Sequence, residues 1–235
     1  MNSNKIKYKR ILLKISGEIL SSNNEILNSL VLQYITDQIL SVNELGVKIG
    51  VVIGGGNIIR GKSQPYLDHI DADLCGMVAT VINGIALYSY LKKKVDNVCL
   101  RSSFGISGLI EPFNKFKCIK IYDRGDILIL TGGTGNPLFT TDTAAALRAA
   151  ELSAEILIKG TKVEGVYSTD PRKNKKAKLY RDLEYQTAID RNLNVMDITA
   201  FRICKEAKIP ICVYNLMKYQ LKKIVIGETI GTIVH

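Results

Sequence analysis

Short apolar runs alternate along this chain with longer stretches in which apolar residues return every three or four positions. Residues 11–15 and 47–53 are compact runs rich in isoleucine, leucine and valine, the pattern of strands buried on both faces. Between them 26–45 carries a helical period. A stronger one covers 72–91, where Leu74, Met77, Val78, Val81, Ile82, Ile85 and Tyr88 make one broad apolar stripe. The acidic stretch 68–73 ahead of it supplies helix caps. Further strands are expected at 98–100, 127–130, 155–158 and 210–214, with helices at 141–151, 187–192 and 197–207. The polar, lysine-rich segment 165–181, which contains Pro171, reads as a surface excursion or hairpin. This order predicts an α/β fold with a mainly parallel sheet covered by helices on both faces.

Composition narrows the chemistry. The chain has 235 residues, 46% of them hydrophobic, enough to bury the core of a single domain. Without a run of eighteen apolar residues or an apolar leader, it is expected to be cytoplasmic and to have no membrane partner. Five cysteines without paired spacing read as reduced thiols. Only His69 and His235 are present, which argues against a histidine triad or a multi-histidine metal site. The net charge of +10 favours anionic partners. Its basic runs, at 92–94 and 172–178, read as solvated surface.

In parallel sheets ligands gather beyond the carboxyl ends of the strands, and four such places carry glycine, hydroxyl or charged residues. The first is Lys14-Ile15-Ser16-Gly17-Glu18, a lysine followed by a small turn whose N–H groups could face phosphate. The second is Gly54-Gly55-Gly56-Asn57, where glycine permits positive φ and close approach of ligand oxygens. The third runs from Thr131 through Thr134, Gly135, Asn136, Pro137, Leu138, Phe139, Thr140 and Thr141 to Asp142, and opens a helix whose free N–H groups suit an anion. The fourth begins at Lys159 and contains Thr161, Lys162, Tyr167 and Asp170. Taken singly, each could be a tight turn, a first-turn carboxylate or a packed loop residue. Four of them on one rim favour a nucleotide site.

Residues 56–63, Gly-Asn-Ile-Ile-Arg-Gly-Lys-Ser, match the P-loop formula, but Gln64 and Pro65 follow where a P-loop opens its helix, and no strand ending in aspartate supplies the partner metal ligand. The match is set aside on those grounds.

The order and wording of these motifs resemble the bacterial uridylate kinases of the amino-acid-kinase family, from about residue 9 to 234. The most particular piece is Thr134-Gly135-Asn136-Pro137-Leu138-Phe139-Thr140-Thr141-Asp142; Asp73 with Gly76-Met77 and the 79–84 segment add to it. The resemblance implies a three-layer αβα sandwich and phosphoryl transfer from ATP to UMP, with Mg²⁺ carried by ATP and no metal held by the protein. It also implies a UMP-side lobe over about 1–150, an ATP-side lobe over about 151–235, and a homohexamer. UMP would contact Gly55, Asp73 and 134–141, with Asp73 accepting from ribose hydroxyls. ATP would contact Lys14, Ile15, Ser16, Gly17, Gly56, Arg60, Thr161, Tyr167 and Asp170. Catalysis would fall to Lys14 and Arg60 as cations on the transferred group, Asp142 orienting the lysine or holding a metal-bound water, and Lys162 as a second cation. Asp197 lies in a family segment near the site, and a helix N-cap explains it equally well.

The segments 61–72 and 102–124 depart from the family pattern. GTP and UTP, effectors of many members, lack a matching set of basic residues here, with only Lys92, Lys93, Lys94 and Arg101 on offer. Two other readings stand beside this one: a nucleotide- or nucleic-acid-binding regulator, and a sister kinase acting on an acidic metabolite. No nucleic-acid module and no tryptophan support the first, and the 134–142 wording argues against the second.

Overall fold

The computed structural model describes residues 5–22, 25–59, 66–169, 171, 174, 176–193 and 195–235. Its described residues form an eight-stranded sheet in the order β3-β4-β2-β1-β5-β7-β8-β6. The strands are β1 (Arg10–Ile15), β2 (Lys48–Ile53), β3 (Val98–Ser102), β4 (Ile127–Thr131), β5 (Ile156–Thr161), β6 (Asp182–Leu183), β7 (Ile211–Asn215) and β8 (Thr232–Val234). Every pairing is parallel except β7 with β8.

Side-chain alternation along the buried strands builds two cores. Ile11, Leu13 and Ile15 of β1 face one way, towards α1 (Ser29–Asn43), the later turns of α2 (His69–Lys92) and α7 (Leu221–Val225). Leu12 faces the other way, with Val52, Leu128 and Leu157, towards α3 (Lys115–Arg124), α4 (Thr141–Glu151), α5 (Tyr185–Asp190) and α6 (Ile198–Glu206). Three layers result, as the α/β reading predicts. Within 165–181 the described residues pair as the base of a hairpin, Tyr167 bridging Leu179 and Ser168 N–H donating to the Lys178 carbonyl at 2.9 Å.

Three readings change. The apolar positions of α2 do not form one buried stripe: Met77, Val81, Leu87 and Leu91 are buried, whereas Leu74, Val78, Ile82 and Ile85 are exposed. The inner face is chosen by size, because the helix lies so close to β4 that a Cβ on Gly84 would stand 2.2 Å from Thr131 Cγ2. Asp68 occupies the N-cap position of α2, but its side chain makes no capping hydrogen bond. The segment 102–124, read only as divergent, contains α3, capped by the Asn114 side chain and closed by Gly125 at φ 92°. The basic run at 92–94 behaves as surface, with Lys92 pairing Asp96 at 3.1 Å and Lys94 pairing Asp37 at 2.6 Å.

Candidate active site

The four motifs follow β1, β2, β4 and β5, which are consecutive neighbours in the sheet. Parallel direction brings all four strand ends to one rim. There Gly17, in the 3₁₀ turn after β1, packs against the turn after β2; a Cβ on Gly17 would stand 2.7 Å from both the Gly54 carbonyl and Gly56 N. The expected positive φ is absent at Gly54 and Gly55 and occurs instead in the loop after β4, at Gly132, Gly133 and Gly135. Gly55 is needed for close packing, since a Cβ there would meet the Gly76 carbonyl of α2 at 2.7 Å. Asn83, buried on α2, donates to the Gly54 carbonyl at 2.6 Å and fixes this turn from behind.

The central group is a buried charge cluster. Lys14 and Lys159 are directly paired residues on β1 and β5. Both alternate out of phase with their strands' Ile11/Leu13 and Ile156/Ile158 core residues, so both side chains rise on the α4 face. Asp142, in the first turn of α4, receives them: Lys14 Nζ lies 2.8 Å from Oδ1 and Lys159 Nζ 2.5 Å from Oδ2. The three residues are 5%, 7% and 9% exposed. Burial opposes the charge on Asp142, but the two ammonium groups overcome it and hold the carboxyl at about 2. Burial, reinforced by the Lys14 charge and only partly offset by Asp142, lowers Lys159 to about 8. Lys159 Nζ also donates to the Val195 carbonyl.

Asp197 joins two helix ends. Its carboxylate caps α6 by accepting from Ala200 N–H at 2.7 Å, and accepts from Thr143 N–H at 3.2 Å, the Thr143 hydroxyl at 2.9 Å and the Thr140 hydroxyl. Thr140 in turn caps α4 through Asp142 N–H at 3.0 Å. The N-cap reading of Asp197 therefore holds, and the same side chain ties α6 to the helix that carries Asp142.

Beside this cluster opens a cleft of about 610 Å³, whose lining includes Gly55, Gly56, Asp73, Leu138, Phe139, Thr140 and Thr141. Asp73 Oδ2 accepts from Leu138 N–H at 2.8 Å, which holds Leu138 at φ 70°, a left-handed conformation costly for leucine. Thr134 forms a local turn with Asn136, its hydroxyl accepting from Asn136 N–H at 3.1 Å.

Of the remaining sequence-predicted residues, Ile15 is fully buried in the core, so only its backbone reaches the rim. Ser16 N–H donates to the Gly160 carbonyl at 3.3 Å, and the Ser16 hydroxyl accepts from Lys14 at 3.4 Å. Thr161 is buried and accepts from Val163 N–H at 2.8 Å. Tyr167 is half-buried at the base of the hairpin. Lys162, expected as a second cation, is exposed, and the lysine that stands beside Lys14 on Asp142 is Lys159. Lys14 is buried. Arg60 and Asp170 lie outside the described residues, as do Gly61, Lys62 and Ser63 of the P-loop match.

Residues 9–215 match the sequence profile of the amino acid kinase family. The chain belongs to the amino acid kinase family. Among solved structures it is similar to a UMP kinase from Bacillus anthracis, at 34% identity and TM-score 0.93, over 97% of this chain and 96% of that one. A UMP kinase from Ureaplasma parvum matches at 33% identity and TM-score 0.89, over 97% and 99% of the two chains. A uridylate kinase from Archaeoglobus fulgidus matches at 27% identity and TM-score 0.73, over 96% and 99%. The sandwich and its strand order here are thus those of an amino acid kinase family member over almost the whole chain.

Proposed function

We propose that this amino acid kinase family member transfers the γ-phosphoryl group of ATP to UMP, giving UDP and ADP for pyrimidine nucleotide synthesis. The observation that carries the reading is the buried Lys14–Asp142–Lys159 cluster beside the cleft walled by Asp73 and Thr140–Thr141. Two lysines sharing one carboxylate leave a net positive charge fixed beside the cleft. Fixed positive charge stabilises the charge that spreads over the equatorial oxygens of a transferring phosphoryl group.

In this reading Asp142 is a positioning residue, holding both ammonium groups in place before either nucleotide binds. Lys14, flanked by Ser16 and Gly17, serves the transferred group and the ATP phosphates. Gly56, Thr161 and Tyr167 belong to the ATP side, with Ile15 contributing backbone only. Arg60 and Asp170 keep their proposed roles on sequence grounds. UMP lies in the cleft, its ribose on Asp73, its phosphate towards Gly55 and the N-terminal end of α4, and its base along 134–139. The ribose hydroxyls would take over Asp73 from Leu138 N–H or share it. The attacking oxygen belongs to the UMP phosphate, so the chain's task is to orient two anions rather than to generate a nucleophile.

Mg²⁺ enters bound to ATP and supplies further charge neutralisation at the phosphates. Both Asp142 oxygens face lysines.

The exposed ridge Ile70, Leu74, Val78 and Ile82 on α2 supports assembly with further copies of the chain, in the homohexamer we propose. The five free cysteines suit the cytoplasm, where we place the reaction. GTP and UTP are carried as candidate effectors, although Lys92, Lys94 and Arg101 are already paired with Asp96, Asp37 and Glu111.

The test is ADP release from Mg-ATP with UMP, CMP, dUMP, carbamate, aspartate or acetylglutamate as acceptor. The reading expects turnover with UMP far above the rest. Turnover with a carboxylate would keep the fold and replace the substrate, and folded protein inert towards all acceptors would favour a binding function.

A further inference from the structure

The loop after β4 is left-handed at Gly132, Gly133, Gly135 and Leu138, and its glycines leave it little shape of its own. What holds it comes from outside the four motifs. On the α2 side the buried Thr80 hydroxyl accepts from Gly132 N–H at 2.7 Å. On the β3 side stands Ser103, in the segment that departs from the family pattern. Its hydroxyl lies 2.6 Å from the Gly133 carbonyl and 3.3 Å from the Thr131 carbonyl, and its N–H donates to the Thr131 carbonyl at 2.9 Å. A Cβ on Gly135 would stand 3.3 Å from Ser103 Cβ, so the loop rests directly on this residue.

The Ser103 hydroxyl is in turn set by Arg148, on the helix that carries Asp142. Arg148 Nη2 donates to Ser103 Oγ at 3.1 Å. A guanidinium has no acceptor, so it occupies a lone pair of the hydroxyl and leaves the proton for a carbonyl, of which Gly133 is the nearer. Arg148 is itself buried, paired with Glu151, and lies over the Phe113 ring with Cζ 3.8 Å from the centroid. These contacts fix the guanidinium without any ligand.

We infer that Ser103, set by Arg148, is a positioning residue for the nucleoside monophosphate: it fixes Gly133 in the cleft wall and with it the start of the segment along which the base lies. The inference rests on the reading of the cleft as the UMP side. Gly133 lines that cleft, and the chain from it leads to Leu138, where Asp73 holds the other end. A loop ordered in advance spares the ligand the cost of ordering it, a cost that is largest for glycine. Among the described residues neither Ser103 nor Arg148 hydrogen-bonds to Gly56, Thr161 or Tyr167, so the effect is confined to one of the two nucleotides.

The experiment measures KM for UMP and for ATP, and amide exchange of the nucleotide-free protein, in the wild type, Ser103→Ala, Arg148→Met and the double variant. Ser102→Ala is the control, because the Ser102 hydroxyl is buried one residue away and has no hydrogen-bond partner among the described residues. Ser103→Ala should raise KM for UMP about fivefold, the size of one hydrogen bond, leave KM for ATP unchanged and speed exchange over 132–138. Arg148→Met should act in the same direction, and the double variant should be no worse than the worse single one, since Arg148 acts through Ser103. If Arg148→Met does not fold, Ser103→Ala and its control decide. Unchanged KM for UMP in Ser103→Ala, equal rises for both nucleotides, or an equal rise in Ser102→Ala would each overturn the inference. Absence of UMP phosphorylation in the wild type would instead count against the proposed activity, and the exchange measurement would still report whether Ser103 orders the loop.

Discussion

Lys14 and Lys159 stand side by side on adjacent parallel strands and share one carboxylate, Asp142. Neither lysine is a surface residue, so their positions are set by the sheet and do not await the substrate. Lys14→Ala should lower kcat by about 10²–10³-fold, the range seen when one donor to a developing negative charge is removed. Because Lys14 is buried, the variant should also lose some stability, and thermal unfolding must show it folded at the assay temperature. Wild-type turnover in folded Lys14→Ala would remove the cluster from the chemistry.

Lys159 should give the activity an alkaline limit. Its proton is lost near pH 8, so the cluster's net positive charge disappears as pH rises through that value. The expected outcome is a kcat that declines above about pH 8. In Lys159→Arg the decline should move to higher pH, since guanidinium stays charged. An unchanged alkaline limb in that variant would assign it to another group.

Asp142 ties the same cluster to acid stability. Its folded pKa, about 2, is depressed below the ordinary 3.8, so its contribution is full above about pH 4 and is lost as pH falls through 2. The depression corresponds to about 2 kcal/mol. Asp142→Asn should therefore be less stable than the wild type at pH 7, and the gap should narrow towards pH 2. Urea unfolding at the two pH values measures it, and a gap that widens in acid would contradict the assignment.

Asp73→Ala should raise KM for UMP about tenfold or more while changing KM for ATP little, because a charged hydrogen bond to a ribose hydroxyl is worth more than a neutral one. The same change frees Leu138 from the contact at its N–H. Equal rises for both nucleotides would argue against the ribose role.

Asp197→Ala removes caps from two helices at once. A loss of about 2–4 kcal/mol is expected from paired cap and hydroxyl contacts, against about 1 for an ordinary N-cap. Asp197→Asn should recover part of it, since an amide oxygen can still accept from Ala200 N–H. Chemical denaturation of the two variants decides the matter.

Much of this architecture is legible in the chain. The Leu-Leu-Lys-Ile and Ile-Leu-Ile-Lys runs mark two buried strands, and the glycine and threonine segments after them mark the rim. Lys159 opens the fourth motif but is given no role by the sequence, although it carries the same signal as Lys14, a lysine in the closing positions of a buried strand. Periodicity alone cannot say which neighbouring strand it will meet; β5 becomes the partner of β1 only through the sheet order. The outer face of α2 is equally illegible, because an apolar stripe does not state which part the sheet covers and which part faces outward. Strands β6 and β8, of two and three residues, are too short for any period to register. Helix α3 is half charged and its first residues alternate lysine with apolar side chains, so its helical period is weak and the Asn114 cap and closing Gly125 are its clearest signals.

The most direct test follows the phosphoryl group itself. With ATP labelled at the γ-phosphate and UMP as acceptor, the label should appear in the β-phosphate of UDP in step with ADP. Label released as inorganic phosphate, or carried on a carboxylate or carbamate acceptor in preference to UMP, would contradict the account.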